Sequence, residues 1–113
     1  MATYTTAALV RLRAENLDAT LTDANIGAYI DTAESTLNAV MGISLVSTFT
    51  LAKHGILRMG AEAYATRCAI LFNPAGFTSL QEAAAIIEVL SSEWEKVLSL
   101  LNDKGIVSYL ESL

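Results

Sequence analysis

His54 and Cys68 are the only histidine and the only cysteine in the chain. These are the residue types from which nucleophilic catalysis or a metal site is commonly built. Their spacing argues against both. They fall on one expected helix, fourteen positions apart, which is roughly 21 Å at 1.5 Å per residue. The two cannot share a site within one subunit. His54 is expected at the surface or at a helix start, and Cys68 as a small buried hydrophobe. Carboxylate pairs are the next candidates. Asp31 and Glu34 stand i,i+3 on one helix face, but a di-metal bundle site needs a Glu-x-x-His partner motif, and none occurs. Glu93 and Glu95 are i,i+2 and point to different sides. Both pairs read as solvated faces. No glycine-rich phosphate loop, nucleophile elbow or CxxC occurs. The chain is therefore read as a non-enzyme, with no catalytic residue, no cofactor and no metal.

The elements that would position any site are helices. Thr5 or Thr6 can cap a short first helix carrying Leu9, Val10 and Leu12, with Arg11 and Glu15 spaced for a surface pair. The second helix is the clearest, running from about Asp23 to Met41. Thr22 is its cap, Leu21 is placed to staple onto Ile26, and Gly42 suits a left-handed exit. Its apolar stripe is Ile26, Tyr29, Ile30, Ala33, Leu37, Val40 and Met41. Gly42 to Thr50 is rich in Ile, Val, Phe and Thr and reads as an extended loop or small hairpin. A third helix follows from about Leu51 to Phe72. Gly60 lies on the face of Ile56 and Tyr64, where a neighbouring helix can approach closely. Asn73-Pro74-Ala75-Gly76 turns the chain. Ser79-Leu80-Gln81-Glu82 is a capping box for a fourth helix, expected to reach about Asp103. Ala83, Ile87, Leu90, Trp94, Val97 and Leu101 form a heptad seam along it, with Trp94 read as core. Ile106 to Leu113 is an apolar tail, either a strand or a short helical turn. The fold class is thus all-α: one domain, a small four-helix bundle with an extended loop between helices 2 and 3 and an apolar C-terminal tail.

Composition narrows the function classes. At 113 residues the chain suits one core. Hydrophobic residues make up 53% and mean hydropathy is +0.44. Such richness implies unusually complete packing or surface shared with partners. No apolar run approaches the ~18 residues of a membrane span, and no signal peptide is expected in Met1 to Arg13. One cysteine precludes an internal disulfide. Net charge is −5, and the seven basic residues form no run, which argues against nucleic-acid binding. Leu21 to Met41 does mimic a helix-turn-helix, with a reading helix starting near Thr32. It lacks the turn glycine, however, and no Lys or Arg occurs from Ala14 to Ala52.

The layout adds a family resemblance. A short capped helix precedes a long one reading Asp23…Ile26…Tyr29-Ile30…Ala33-Glu34…Leu37, then Gly42, a β-like loop and two further helices. This resembles the head–tail connector proteins of tailed bacteriophages, also called adaptor or head-completion proteins. The likeness spans roughly Thr3 to Leu101 and includes the Ala-rich stretch Ala61 to Ala69. It departs from the family pattern at Ile43, where a basic residue often follows the glycine. The resemblance implies a virion protein of the neck, made in the host cytoplasm. It implies self-assembly into a ring, typically a dodecamer, under the portal protein and against a tail or stopper protein. DNA would pass through the acidic channel without specific binding, and no membrane is involved. Candidate partner contacts are Ile43, Leu45, Val46 and Phe49 in the loop and Ile106, Val107, Tyr109, Leu110 and Leu113 in the tail. The alternative is a small homodimeric regulatory or interaction module that pairs through the Ala83–Leu101 seam. An enzyme is the third reading.

Overall fold

The computed structural model describes residues 4–14, 17, 19–72 and 80–113, without the side chains of Leu80 and Gln81. The described residues form five helices and no strand: α1 (Ala7–Arg13), α2 (Asp23–Met41), α3 (Leu51–Phe72), α4 (Leu80–Leu101) and α5 (Lys104–Ser112). The Asn73–Gly76 turn, Glu15 and most of the Ser79–Glu82 capping box lie outside the described residues.

Local chemistry sets the helix ends. Thr6 caps α1 by accepting from the Leu9 N–H at 3.3 Å. At α2, Thr22 Oγ1 accepts from the Asn25 N–H at 3.1 Å, and Asn25 Oδ1 accepts from the Thr22 N–H at 3.2 Å. Two donors that a helix start leaves open are thereby satisfied reciprocally. Leu21 and Ile26 lie together in one buried cluster, as a hydrophobic staple requires. Gly42 ends α2 at φ +78°, its N–H bonded to the Asn38 carbonyl at 2.9 Å. A left-handed exit of this kind carries no side-chain penalty at glycine. α2 continues unbroken through Asp31 and Thr32, so the helix-turn-helix reading fails on geometry as well as charge.

α3 is the central element and packs most extensively on α4 and α2. A Cβ built on Gly60 would sit 2.8 Å from Val97 Cγ1, so α3 and α4 meet there at glycine distance. Tyr64 and Trp94 follow one turn on, ring centroids 4.9 Å apart. Arg67 Nη1 then donates to Ser91 Oγ at 3.2 Å. These successive pairs run α4 antiparallel to α3. Of the seam residues, Ala83, Leu90, Trp94, Val97 and Leu101 are buried within one chain, while Ile87 is half-buried.

Two elements differ from expectation. The stretch 42–50 is an irregular loop with a turn, where the Thr48 N–H bonds the Leu45 carbonyl at 3.2 Å. The tail is a helix: Asp103 does not extend α4 but caps α5, its side chain accepting from the Gly105 N–H at 2.8 Å. Val107 and Leu110 then pack into the main core with Leu57, Trp94 and Leu101.

Candidate interaction surfaces

The potentially reactive side chains are placed for packing. His54 is buried, not at the surface, and its helix-start role stands. Its own backbone departs from helix geometry (φ −122°, ψ 31°), which kinks the first turn of α3. Nδ1 accepts from the Thr50 N–H at 3.2 Å, which leaves Nε2 to donate to the Leu110 carbonyl at 3.0 Å. The ring thus joins the loop, α3 and α5. Cys68 is half-buried, and burial pushes its thiol pKa up, away from a reactive thiolate. No group of three or more metal-binding side chains occurs among the described residues.

The carboxylate pairs divide. Asp31 is exposed, but Glu34 is buried, contrary to the solvated face expected of both. Its Oε2 accepts the Tyr4 N–H at 2.5 Å. Glu93 pairs with Arg13, while Glu95 is exposed. Glu62 lies 4.0 Å from the same Arg13. Burial raises the Glu62 carboxyl above its ordinary value, against the pull of Arg13 and Arg58. Arg11 makes its contacts at the start of α2, to Asp23 Oδ1 and the Leu21 carbonyl, both at 2.8 Å.

The nine candidate partner contacts fall into three groups. Leu45, Val107 and Leu110 are buried in the chain's own core and are not free to meet a partner. Ile43, Val46, Phe49 and Ile106 are half-buried against that core. Tyr109 and Leu113 are exposed, at 63% and 42%. Tyr4 contacts both Leu45 and Phe49 within that core. Its hydroxyl accepts from the Leu45 N–H at 3.1 Å, and its ring lies 5.3 Å from that of Phe49.

Exposed apolar side chains gather towards two ends of α3. Leu51 opens the helix, and the His54–Leu110 bond brings α5, with Tyr109 and Leu113, to that end. Leu71 and Phe72 close the helix, and the Arg67–Ser91 bond puts Val89 on α4 level with the last turns of α3. Leu51 and Leu71 are about 30 Å apart along the helix. Beside Val89 is an open hollow of about 340 Å³ lined by Arg13, Thr66, Ala85, Ile86, Val89 and Leu90. Leu71, Phe72 and Val89 did not figure among the sequence candidates. Val89 stands off the buried seam of α4, but Leu71 keeps the stripe spacing of Leu57 and Gly60, so its spacing reads as core; it is exposed because the stripe runs past the cover at the end of α3.

No helix among the described residues is long and apolar enough to cross a membrane. Comparison with known proteins gives no match, either to a protein-family model, to a curated protein or to a solved structure.

Proposed function

We propose that this chain is a structural assembly subunit of the head–tail connector type. In this reading it is a neck protein of a tailed phage that rings the DNA channel between the portal and a tail or stopper protein. The observation that carries the reading is the pair of unlike apolar surfaces at the two ends of α3: Leu51, Tyr109 and Leu113 at one, Leu71, Phe72 and Val89 at the other. A heterologous contact, repeated until it closes, needs two different complementary surfaces on each copy. Helices α1–α4 form the bundle of this reading, and α5 carries the apolar tail. The net charge of −5 suits a channel wall past which DNA slides. A homodimer through the Ala83–Leu101 seam is disfavoured, because five of its six residues are buried within the chain.

Mass measurement across concentration, alone and with purified portal rings, tests the reading. Binding to the portal ring at one fixed ratio is the expected outcome. A second arm uses two end variants, Leu71→Ser with Phe72→Ser, and Tyr109→Ser with Leu113→Ser. Each alone should block closure, and mixing the two should give pairs that stop at two copies. A fixed dimer at every concentration, indifferent to portal, would refute the proposal.

A further inference from the structure

We propose that the cleft between α2 and α3 is a binding site for a tyrosine-bearing, non-helical peptide segment. In this structure Tyr4 and Thr5 of the same chain fill it, and the same segment of a second copy can replace them. The inference is independent of the ring reading and applies wherever two copies meet.

The site reads a backbone from both sides. The Tyr4 N–H donates to Glu34 Oε2 at 2.5 Å, and the Tyr4 carbonyl accepts from Arg58 Nε at 2.9 Å. Both readers are charged side chains, one on α2 and one on α3. Between them a pocket takes the phenol. The hydroxyl donates to Asn38 Oδ1 at 2.7 Å and accepts from the Leu45 N–H at 3.1 Å. Phe49 walls the ring, and the Arg58 guanidinium lies 5.7 Å from the Phe49 centroid. Tyr4 is fully buried as a result.

Two features favour exchange over a permanent seal. Thr5 is also fully buried, yet its Oγ1, near the Glu62 carboxyl, completes no hydrogen bond. A buried hydroxyl without a partner weakens the hold of the segment. The receptor, in contrast, is poorly suited to standing empty. Removing Tyr4 strips the Leu45 N–H of its partner and takes a bond from the buried Glu34. A replacement must therefore present a backbone amide, a phenol and a backbone carbonyl in that order. A second copy carries the pattern by identity, and exchange of like segments is a low-cost route to linking copies.

The test uses the full-length Tyr4→Ala chain and an acetylated, amidated pentapeptide with the sequence of residues 4–8. Saturable NMR shifts of the Leu45 amide and the Asn38 side chain are expected. Binding to the unaltered chain should be at least tenfold weaker, because its own segment competes at high effective concentration. A peptide with Phe in place of Tyr should also bind at least tenfold more weakly. A folded Tyr4→Ala chain that ignores the pentapeptide overturns the proposal. If Tyr4→Ala does not fold, hydrogen exchange on the unaltered chain decides. The Leu45 amide should then exchange through local opening, at least tenfold faster than the Ala61 amide in the core of α3. Exchange of both at one rate overturns the proposal.

Discussion

Gly60→Ala sets two known effects against each other. In a helix interior, alanine is favoured over glycine by about 1 kcal/mol. In α3 the added methyl would stand 2.8 Å from Val97 Cγ1 and 3.2 Å from Val97 Cβ, well inside the ~3.5–4.0 Å optimum for carbon contacts. Val97 is fully buried and β-branched, so its side chain is stiff, and its Cβ moves only with the backbone of α4. The helices must part by several tenths of an ångström. Overpacking of this kind costs about 1–3 kcal/mol. The clash therefore outweighs the propensity gain, and Gly60→Ala should destabilise by about 1 kcal/mol. Val97→Ala alone should cost about 2 kcal/mol, from two methyls at ~0.8 kcal/mol each plus a cavity. The double variant should lose at least 1 kcal/mol less than the sum, because the new methyl enters the space the valine leaves. Urea unfolding with an unchanged slope reads all three values. A Gly60→Ala chain stabilised by the full helix-propensity difference, with no coupling to Val97, would refute the close approach of α3 and α4.

His54→Ala removes a ring that ties the loop and α5 to α3. It leaves the Thr50 N–H and the Leu110 carbonyl without these partners and opens a hole beside Phe49. A loss of about 3 kcal/mol is expected, with hydrogen-exchange protection falling more in α5 than in α2. The raised Glu62 carboxyl predicts a pH dependence of definite sign. Between its unfolded value, near 4.5, and its higher folded value, the native state holds more protons than the unfolded state. Stability therefore falls as pH rises through that window. Glu62→Gln should flatten this slope relative to the parent chain, as followed by urea midpoints across pH.

What the sequence makes legible is whatever neighbouring residues decide. α2 is readable to the residue because Thr22, Leu21, Ile26 and Gly42 each act within one turn of a helix end. The approach at Gly60 is readable because a glycine on an apolar stripe has few other uses. The junction after Leu101 is not, because the Asp103 cap and the apolar tail suit either a continued helix or a fresh one. Ile106, Val107, Leu110 and Leu113 do keep helical spacing, and the structure builds α5 on it. His54 illustrates a different failure. It stands three and seven positions before Leu57 and Ala61, on the buried stripe, but a polar residue on such a stripe is easily assigned to solvent. Glu34 fails in the same way, four positions after Ile30 and three before Leu37.

Tyr4 is beyond any local reading. Its partners lie 30, 34, 41 and 54 positions away, on three separate segments, and no period links them. Once it is placed, the loop takes on a different meaning. An apolar, β-branched run between helices looks like a surface waiting for a partner, whereas here Leu45 and Phe49 close over the chain's own tyrosine. The apolar richness of the composition is therefore divided by position along α3. The middle of the helix is covered by α2 and α4, and the loop is closed by Tyr4. Among the described residues, the large apolar side chains that remain uncovered stand chiefly at the two ends, with Leu12 on α1 apart from them at 80% exposure. An end-to-end arrangement of copies covers both ends at once. A side-to-side pairing through the α4 seam leaves Leu51, Tyr109 and Leu113 uncovered, since most of the face it would use is already inside the molecule.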